Sequence, residues 1–338
     1  MSTTQPIPSF ELRDADREIF ERELESFVPD RIFDAHAHLY EKAHFPEGSS
    51  HLHHLTHAPE KVGLAEFRRL SEWITPRRQV DALFLPFPLQ GDLAGISRAS
   101  ASEAARDPGC RAEMLVAPDT DPEFAREEVR RYRFAGLKCY HIYSPRTPTD
   151  DSLVEEFLSE PLVKVADEEN LCITLHMVRS RALADPANQA TILAYCRNYP
   201  NMKMILAHAG RGFNPHHTIE GIQAMRGVPN LWFDSAAITD CGAFESIIRT
   251  VGHDRLLYGS DFFISHLRGR ALGVGNGFIW LHEDTLDWTQ FGHAEARPTL
   301  VGLESLRCLK VAALSLGLSD SQVEDIFCHN ARRMLGLM

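Results

Sequence analysis

The sequence predicts an α/β protein folded as a parallel (β/α)8 TIM barrel, and three observations predict it. Short apolar runs recur eight times along the 338 residues, stretches able to form helix lie between them, and polar residues crowd at the ends of several runs. A doubly wound open sheet would also alternate strand and helix, but no glycine fingerprint for a dinucleotide or phosphate loop follows the first run.

Taken in order, residues 11–27 place Leu12, Ile19, Phe20, Leu24 and Phe27 on one stripe and read as an amphipathic helix ahead of the barrel. The eight strand candidates are residues 31–38, 80–86, 111–117, 136–142, 171–176, 202–208, 231–234 and 256–261. From the fifth onward their ends fall roughly 25–35 residues apart, the length of one strand-helix unit. Residues 161–169, 189–198 and 242–251 are the clearest intervening helices. Two stretches break the rhythm: 40–63, rich in His, Pro and Ser, and 262–298, which holds Gly269, Gly273, Gly275 and Gly277. Loops of that length in a compact fold are usually functional, and both should lie on the catalytic rim. Residues 301–337 read as two closing helices. Residues 1–338 are thus expected to form one domain, with the helix 11–27, the barrel 31–300 and the closing helices 301–338.

Bulk properties exclude several functions. A net charge of -12 disfavours nucleic acid or an anionic membrane as partner. The seven cysteines are scattered singly and are odd in number, which suits free thiols in a reducing cytoplasm. The opening residues show no basic-then-apolar secretory pattern, and no run of about 18 apolar residues occurs. A cytoplasmic protein acting on a small molecule is expected; a homodimer through long rim loops is a further expectation.

The strongest chemical signal is Phe33-Asp34-Ala35-His36-Ala37-His38. Residues two apart in a strand share a face, so Asp34, His36 and His38 should line up with the alanines behind them. Two imidazoles about 7 Å apart along a strand can converge on one ion where its end bends inward. An H-x-H alone is weak, but His176 ends Leu-Cys-Ile-Thr-Leu-His, His208 ends Met-Ile-Leu-Ala-His, and Asp261 ends Leu-Leu-Tyr-Gly-Ser-Asp. A polar group capping four apolar strands is hard to explain as packing.

On these residues the chain resembles the amidohydrolase superfamily, in the branch that includes aminocarboxymuconate semialdehyde decarboxylase. The resemblance runs from Phe33 to Asn330-Ala331-Arg332 and rests on Asp-Ala-His-Ala-His, the strand-5 histidine, Ala-His-Ala-Gly at 207–210 and Gly-Ser-Asp at 259–261. It implies one divalent metal ion held by His36, His38, His176 and Asp261, with His208 beside it. Zinc is the expected ion, and manganese, iron or cobalt would also suit three imidazoles and a carboxylate. Such a set leaves an open position at which water can lose a proton near neutral pH. Asp261 could accept that proton and pass it on, and His208 could stabilise an oxyanion or act as base.

Around this core, Lys138 ends strand 4. It is read as a contact for a substrate carboxylate, with a carboxylated bridge between two metals or a structural role as alternatives. Tyr140 shares its face; His141 should point outward. Arg179 and Arg181 could clamp a carboxylate, with Arg211 a similar loop arginine. Asp34 and Asp234 are candidates to orient the ligand histidines. His51, His53, His54 and His57 look like a second metal site, but they lack carboxylates and strand geometry, and a polar lid loop is the preferred reading. The resulting expectation is hydrolysis of a small carboxylate-bearing ester, lactone or amide. The alternatives are metal-dependent decarboxylation of a small unsaturated or aromatic acid, and a metal-free, non-catalytic barrel.

Overall fold

The structure is a computed structural model describing residues 9–45, 47–89, 91–294 and 296–338; the leader reading made from the first few residues lies outside them. Eight parallel strands form one sheet in chain order: β1 Arg31–Ala37, β2 Gln79–Phe84, β3 Arg111–Val116, β4 Gly136–Tyr140, β5 Cys172–His176, β6 Lys203–Leu206, β7 Leu231–Asp234 and β8 Leu256–Leu257. The first and last strands meet through backbone bonds from Ala35 N–H to the Tyr258 carbonyl at 2.8 Å and from Asp261 N–H to the His36 carbonyl at 2.7 Å. A nearly closed (β/α)8 barrel results.

Strand β8 is shorter than the predicted 256–261 because, past Leu257, the Tyr258 amide donates to the Ile326 carbonyl of the closing segment and the Gly259 amide to Ser235 Oγ, which interrupts the ladder. Strand β6 stops at Leu206, just ahead of a left-handed turn that begins at His208. Aspartates 121, 185 and 240 cap the helices Pro122–Tyr132, Pro186–Asn198 and Cys241–Val251, accepting the first free amides. Two of these helices also carry proline in the first turn, where a missing N–H costs nothing.

The chain's two ends set where a site can form. The predicted N-terminal helix is an α segment, Asp14–Ile19, running into a π turn, Phe20–Leu24. Its Asp16 is buried and holds Arg268 and Thr299 of the long loop after β8. The closing segment is Val301–Leu316, stopped by Gly317 at φ 63°, followed by Asp320–Glu324, a π turn and Asn330–Met334. Cys328, Ala331 and Met334 pack onto the inward residues Phe33, Ala35, Leu83, Leu85, Ile205 and Leu257. That apolar plug fills the N-terminal end of the barrel, so a polar site has only the C-terminal end, as in other barrels. No helix among the described residues is long and apolar enough to cross a membrane.

Both long loops reach that C-terminal rim. The loop after β1 contains a short pairing of Tyr40–Glu41 with Lys61–Val62 and the helical turn Ser50–His54. The loop after β8 forms an antiparallel ribbon, Gly269–Val274 with Gly277–His282.

Candidate active site

Strand β1 departs from the expected alternation. Its register to β2 slips between Asp34 and Ala37, a bulge in which three residues span the distance of two. Below it Phe33 and Ala35 face the barrel interior. Above it His36 and His38 face inward and Ala37 joins the outer packing. Asp34 therefore does not share the histidines' face: it lies outside the barrel in a cleft with Phe67, Thr75, Ser260 and His266. Its Oδ1 accepts the amides of His36 at 3.0 Å and Ser260 at 2.9 Å, pinning the bulge to the chain leading into Asp261. Burial, partly offset by these bonds, pushes the Asp34 carboxyl up to about 7.

Each imidazole at the centre is anchored through one nitrogen. His36 Nδ1 donates to Asp234 Oδ2 at 2.8 Å, and His38 Nδ1 to the Leu85 carbonyl at 2.6 Å. A carbonyl can only accept, so the Nε2 of His38 carries the free lone pair; the carboxylate enforces the same tautomer on His36. Both Nε2 atoms turn toward Asp261, whose Oδ1 lies 3.7 Å from His36 and 3.3 Å from His38. Burial and then the nearby Lys138 charge hold His36 well below its ordinary pKa, and burial also lowers His38 and His176. All three are thus neutral, the form a metal requires. At Asp261 burial acts upward but is outweighed by the close contact with His38 and by the nearby His208 and His36, so its pKa is lowered and the carboxylate is the form present.

His176 ends β5 with its ring centroid 5.0 Å from that of His208, and its buried Nδ1 has no hydrogen-bond partner. Three neutral imidazoles, one ionised carboxylate and an orphaned buried nitrogen fit a divalent ion of the zinc class. His36, His208 and Asp234 also lie close together. Asp234, however, already accepts from His36 and from the amides of His208 at 2.7 Å and Ala236 at 3.2 Å. Its oxygens are thus already committed, and the bond to Nδ1 fixes the orientation of the His36 ring.

His208 opens an unusual backbone. Residues 208 to 211 all have positive φ, at 55°, 53°, 71° and 59°. Non-glycine residues pay roughly 1–2 kcal/mol each in this region, and runs are avoided. The turn is held by the Asp234 bond to the His208 amide, by Thr218 donating to the Ala209 carbonyl at 2.8 Å, and by Gly212 N–H donating to the His208 carbonyl at 2.7 Å. It aims two side chains into the pocket. His208 Nδ1 donates to the Ala236 carbonyl at 3.0 Å, which turns Nε2 toward the pocket. Arg211 lies over the Phe278 ring and donates to the Arg179 carbonyl at 3.2 Å.

The pocket above these groups measures about 380 Å³. Phe87, Phe213, Phe278 and Trp280 supply apolar walls, and Arg211 is the one Lys or Arg among its described lining residues. This corrects several expectations. Arg179 and Arg181 are absent from the lining: Arg179 pairs with Asp185 and the Asp151 carbonyl, and Arg181 with Glu220 at the surface. Lys138 is fully buried beneath the pocket floor, 4.8 Å over the Tyr140 ring, where a substrate carboxylate does not reach it. Tyr140 lines the pocket with its hydroxyl donating to the Pro86 carbonyl. His141 lines it too, because the strand ends in a 3-10 turn there and alternation lapses. The sequence reading passed over Glu113, an acid inside an apolar strand. It faces the barrel interior beneath Lys138, accepts from Thr174 at 2.8 Å, and burial pushes it up to about 7.

With this geometry in place the relationships are plain. The amidohydrolase family model matches residues 33–337, and the chain belongs to that family. Among curated proteins it is similar to L-fucono-1,5-lactonase of Burkholderia ambifaria, with 25% identity over 153 residues, 41% of this chain and 52% of that protein. The chain thus matches about half the length of that relative. Among solved structures it is similar to a zinc-bound amidohydrolase from Burkholderia multivorans (TM-score 0.60, 13% identity, 91% of this chain and 99% of that one). A second is 2,6-dihydroxybenzoate decarboxylase from Rhizobium (TM-score 0.52, 14% identity, 91% and 98%). At these identities the structural likenesses establish the fold alone.

Proposed function

We propose that the protein is a metal-dependent hydrolase of a small carboxylate-bearing lactone or ester. The observation that carries this reading is the single pocket shared by His36, His38, His176 and Asp261 with a further histidine, His208, and a lone guanidinium, Arg211. One divalent ion, most simply zinc, would be held by His36, His38, His176 and Asp261 and would supply Lewis acidity to the scissile carbonyl. The chain's own groups supply the rest. Arg211 holds the substrate carboxylate through paired N–H donors. The aromatic walls exclude bulk water and fix the ring of the substrate. His208 Nε2 accepts a proton from the attacking water, and Asp261 is placed to hold the second and return it to the leaving alkoxide. The partial match to a lactonase supports a lactone over an amide.

The competing reading is decarboxylation of an aromatic acid, favoured by the four aromatic walls. A panel of carboxylated and sugar-acid lactones, followed by acid release, is expected to show turnover. Carbon dioxide release from hydroxybenzoates with no lactone turnover would transfer the assignment to the lyase.

A further inference from the structure

Away from the barrel centre, the two rim loops bring together groups far apart in sequence. His53 and His54, from the turn after β1, face His282 and Asp284 at the end of the ribbon after β8. His53 Nε2 is 3.5 Å from Asp284 Oδ2, and the rings of His54 and His282 are 5.3 Å apart. The sequence reading set aside the 51–57 histidines for want of a carboxylate; the fold supplies one.

The polar atoms here are buried and unpaid. Ten buried side-chain nitrogen or oxygen atoms lack a hydrogen-bond partner among the described residues, and three are His53 Nε2, His282 Nδ1 and Asp284 Oδ1. Each such atom forgoes a hydrogen bond that water would supply, so three of them on facing loops call for a ligand. Asp284 sharpens the point. Its side chain is 11% exposed, and among the described residues only His53 stands within ion-pair distance of it. Neighbouring Glu283 is already matched by Arg13. A buried carboxylate without a lysine or arginine partner is costly unless a cation meets it.

From this juxtaposition we propose that His53, His54, His282 and Asp284 form a second divalent-cation site of the zinc class. Three imidazoles and a carboxylate are the same donor types that meet at the barrel centre, and zinc accepts all of them. Among the described residues no three of these donors are as close together as His36, His38 and Asp261 are at the barrel centre; there only His176 stands outside the tight group. At the rim the two contacting pairs, His53 with Asp284 and His54 with His282, would close on the ion together. An ion here clasps the turn Ser50–His54 to the ribbon and sets the mouth of the pocket, which His54 and His282 line. The site is independent of the reaction proposed above.

The test uses untagged full-length protein, stripped by chelator and dialysed against micromolar free zinc, with zinc counted by elemental analysis. Two equivalents are expected in the wild type and one in His53→Ala and in Asp284→Asn, the retained equivalent showing that the barrel is folded. His176→Ala is expected to keep the rim equivalent. Two equivalents in both rim variants would overturn the proposal, as would one equivalent in the wild type that His176→Ala abolishes. Zinc should also slow proteolysis within residues 42–60 in the wild type but not in Asp284→Asn; equal cleavage would remove the clasp.

Discussion

Replacing Asp234 with asparagine tests whether this buried carboxylate sets the tautomer of a metal ligand. The side chain makes three contacts: Oδ2 accepts from His36 Nδ1, and Oδ1 accepts from the amides of His208 and Ala236. Asparagine has one acceptor and one donor, so only two placements exist. With its NH2 toward His36, the imidazole must turn its lone pair inward and protonate Nε2, losing the atom that faces the ion. With its NH2 toward the amides, two buried N–H groups lose their acceptor at about 1–3 kcal/mol each, beneath a turn already held at positive φ. Loss of such an orienting partner costs about 10–100-fold in metal affinity, equivalent to about 1.4–2.8 kcal/mol. Zinc competition against a chromophoric chelator measures this directly, with apo-protein melting as a control for the second placement. A zinc affinity within twofold of wild type would refute the argument and return Asp234 to a packing role.

Three further outcomes follow from other contacts. Arg211→Met should raise KM for a carboxylate-bearing substrate at least tenfold while leaving a neutral lactone within about twofold, losing a charged hydrogen bond of about 1.5–3 kcal/mol; equal effects on both would displace Arg211 as the anchor. Ala209→Gly should raise Tm, since glycine relieves about 1 kcal/mol at φ 53°, whereas Gly210→Ala should lower it because the new Cβ meets Leu183 at 3.1 Å. Asp16→Asn should destabilise by about 3–5 kcal/mol by leaving Arg268 buried and unmatched. Burial acts to raise the Asp16 carboxyl, but the hydrogen bond and charge of Arg268 outweigh it and lower its pKa. A depressed folded pKa gives stability that is full above the unfolded value of about 3.9 and is lost as pH falls through the folded one. The Tm gap between wild type and Asp16→Asn should therefore be flat above pH 5 and shrink below pH 4. A gap that widens on acidification would reverse the assignment.

How far the site can be read from sequence depends on which interactions place each residue. His176, His208 and Asp261 were legible because an apolar strand ending in a polar group states both the burial and the position, and parallel register carries that position to the same rim. The bulge in β1 was not legible. Alternation is a local rule, and the slip at Asp34 exists because Ser260, more than two hundred residues away, donates its amide to that carboxylate. The arginines show the same division. Arg179, Arg181 and Arg211 look alike along the chain, and only the left-handed turn after β6 sends Arg211 inward while Asp185 and Glu220 draw the others out. Ala-His-Ala-Gly hints at that turn through one glycine, but three of its four positive-φ residues are ones that local preference places elsewhere. Tertiary bonds from Asp234 and Thr218 override that preference. The rim histidines follow as well: their carboxylate, Asp284, comes from a ribbon whose pairing depends on Gly275 reversing the chain at φ 55°. Residues whose placement is set within one strand could be named in advance; those set by a contact between loops could be recognised only once the loops were seen together.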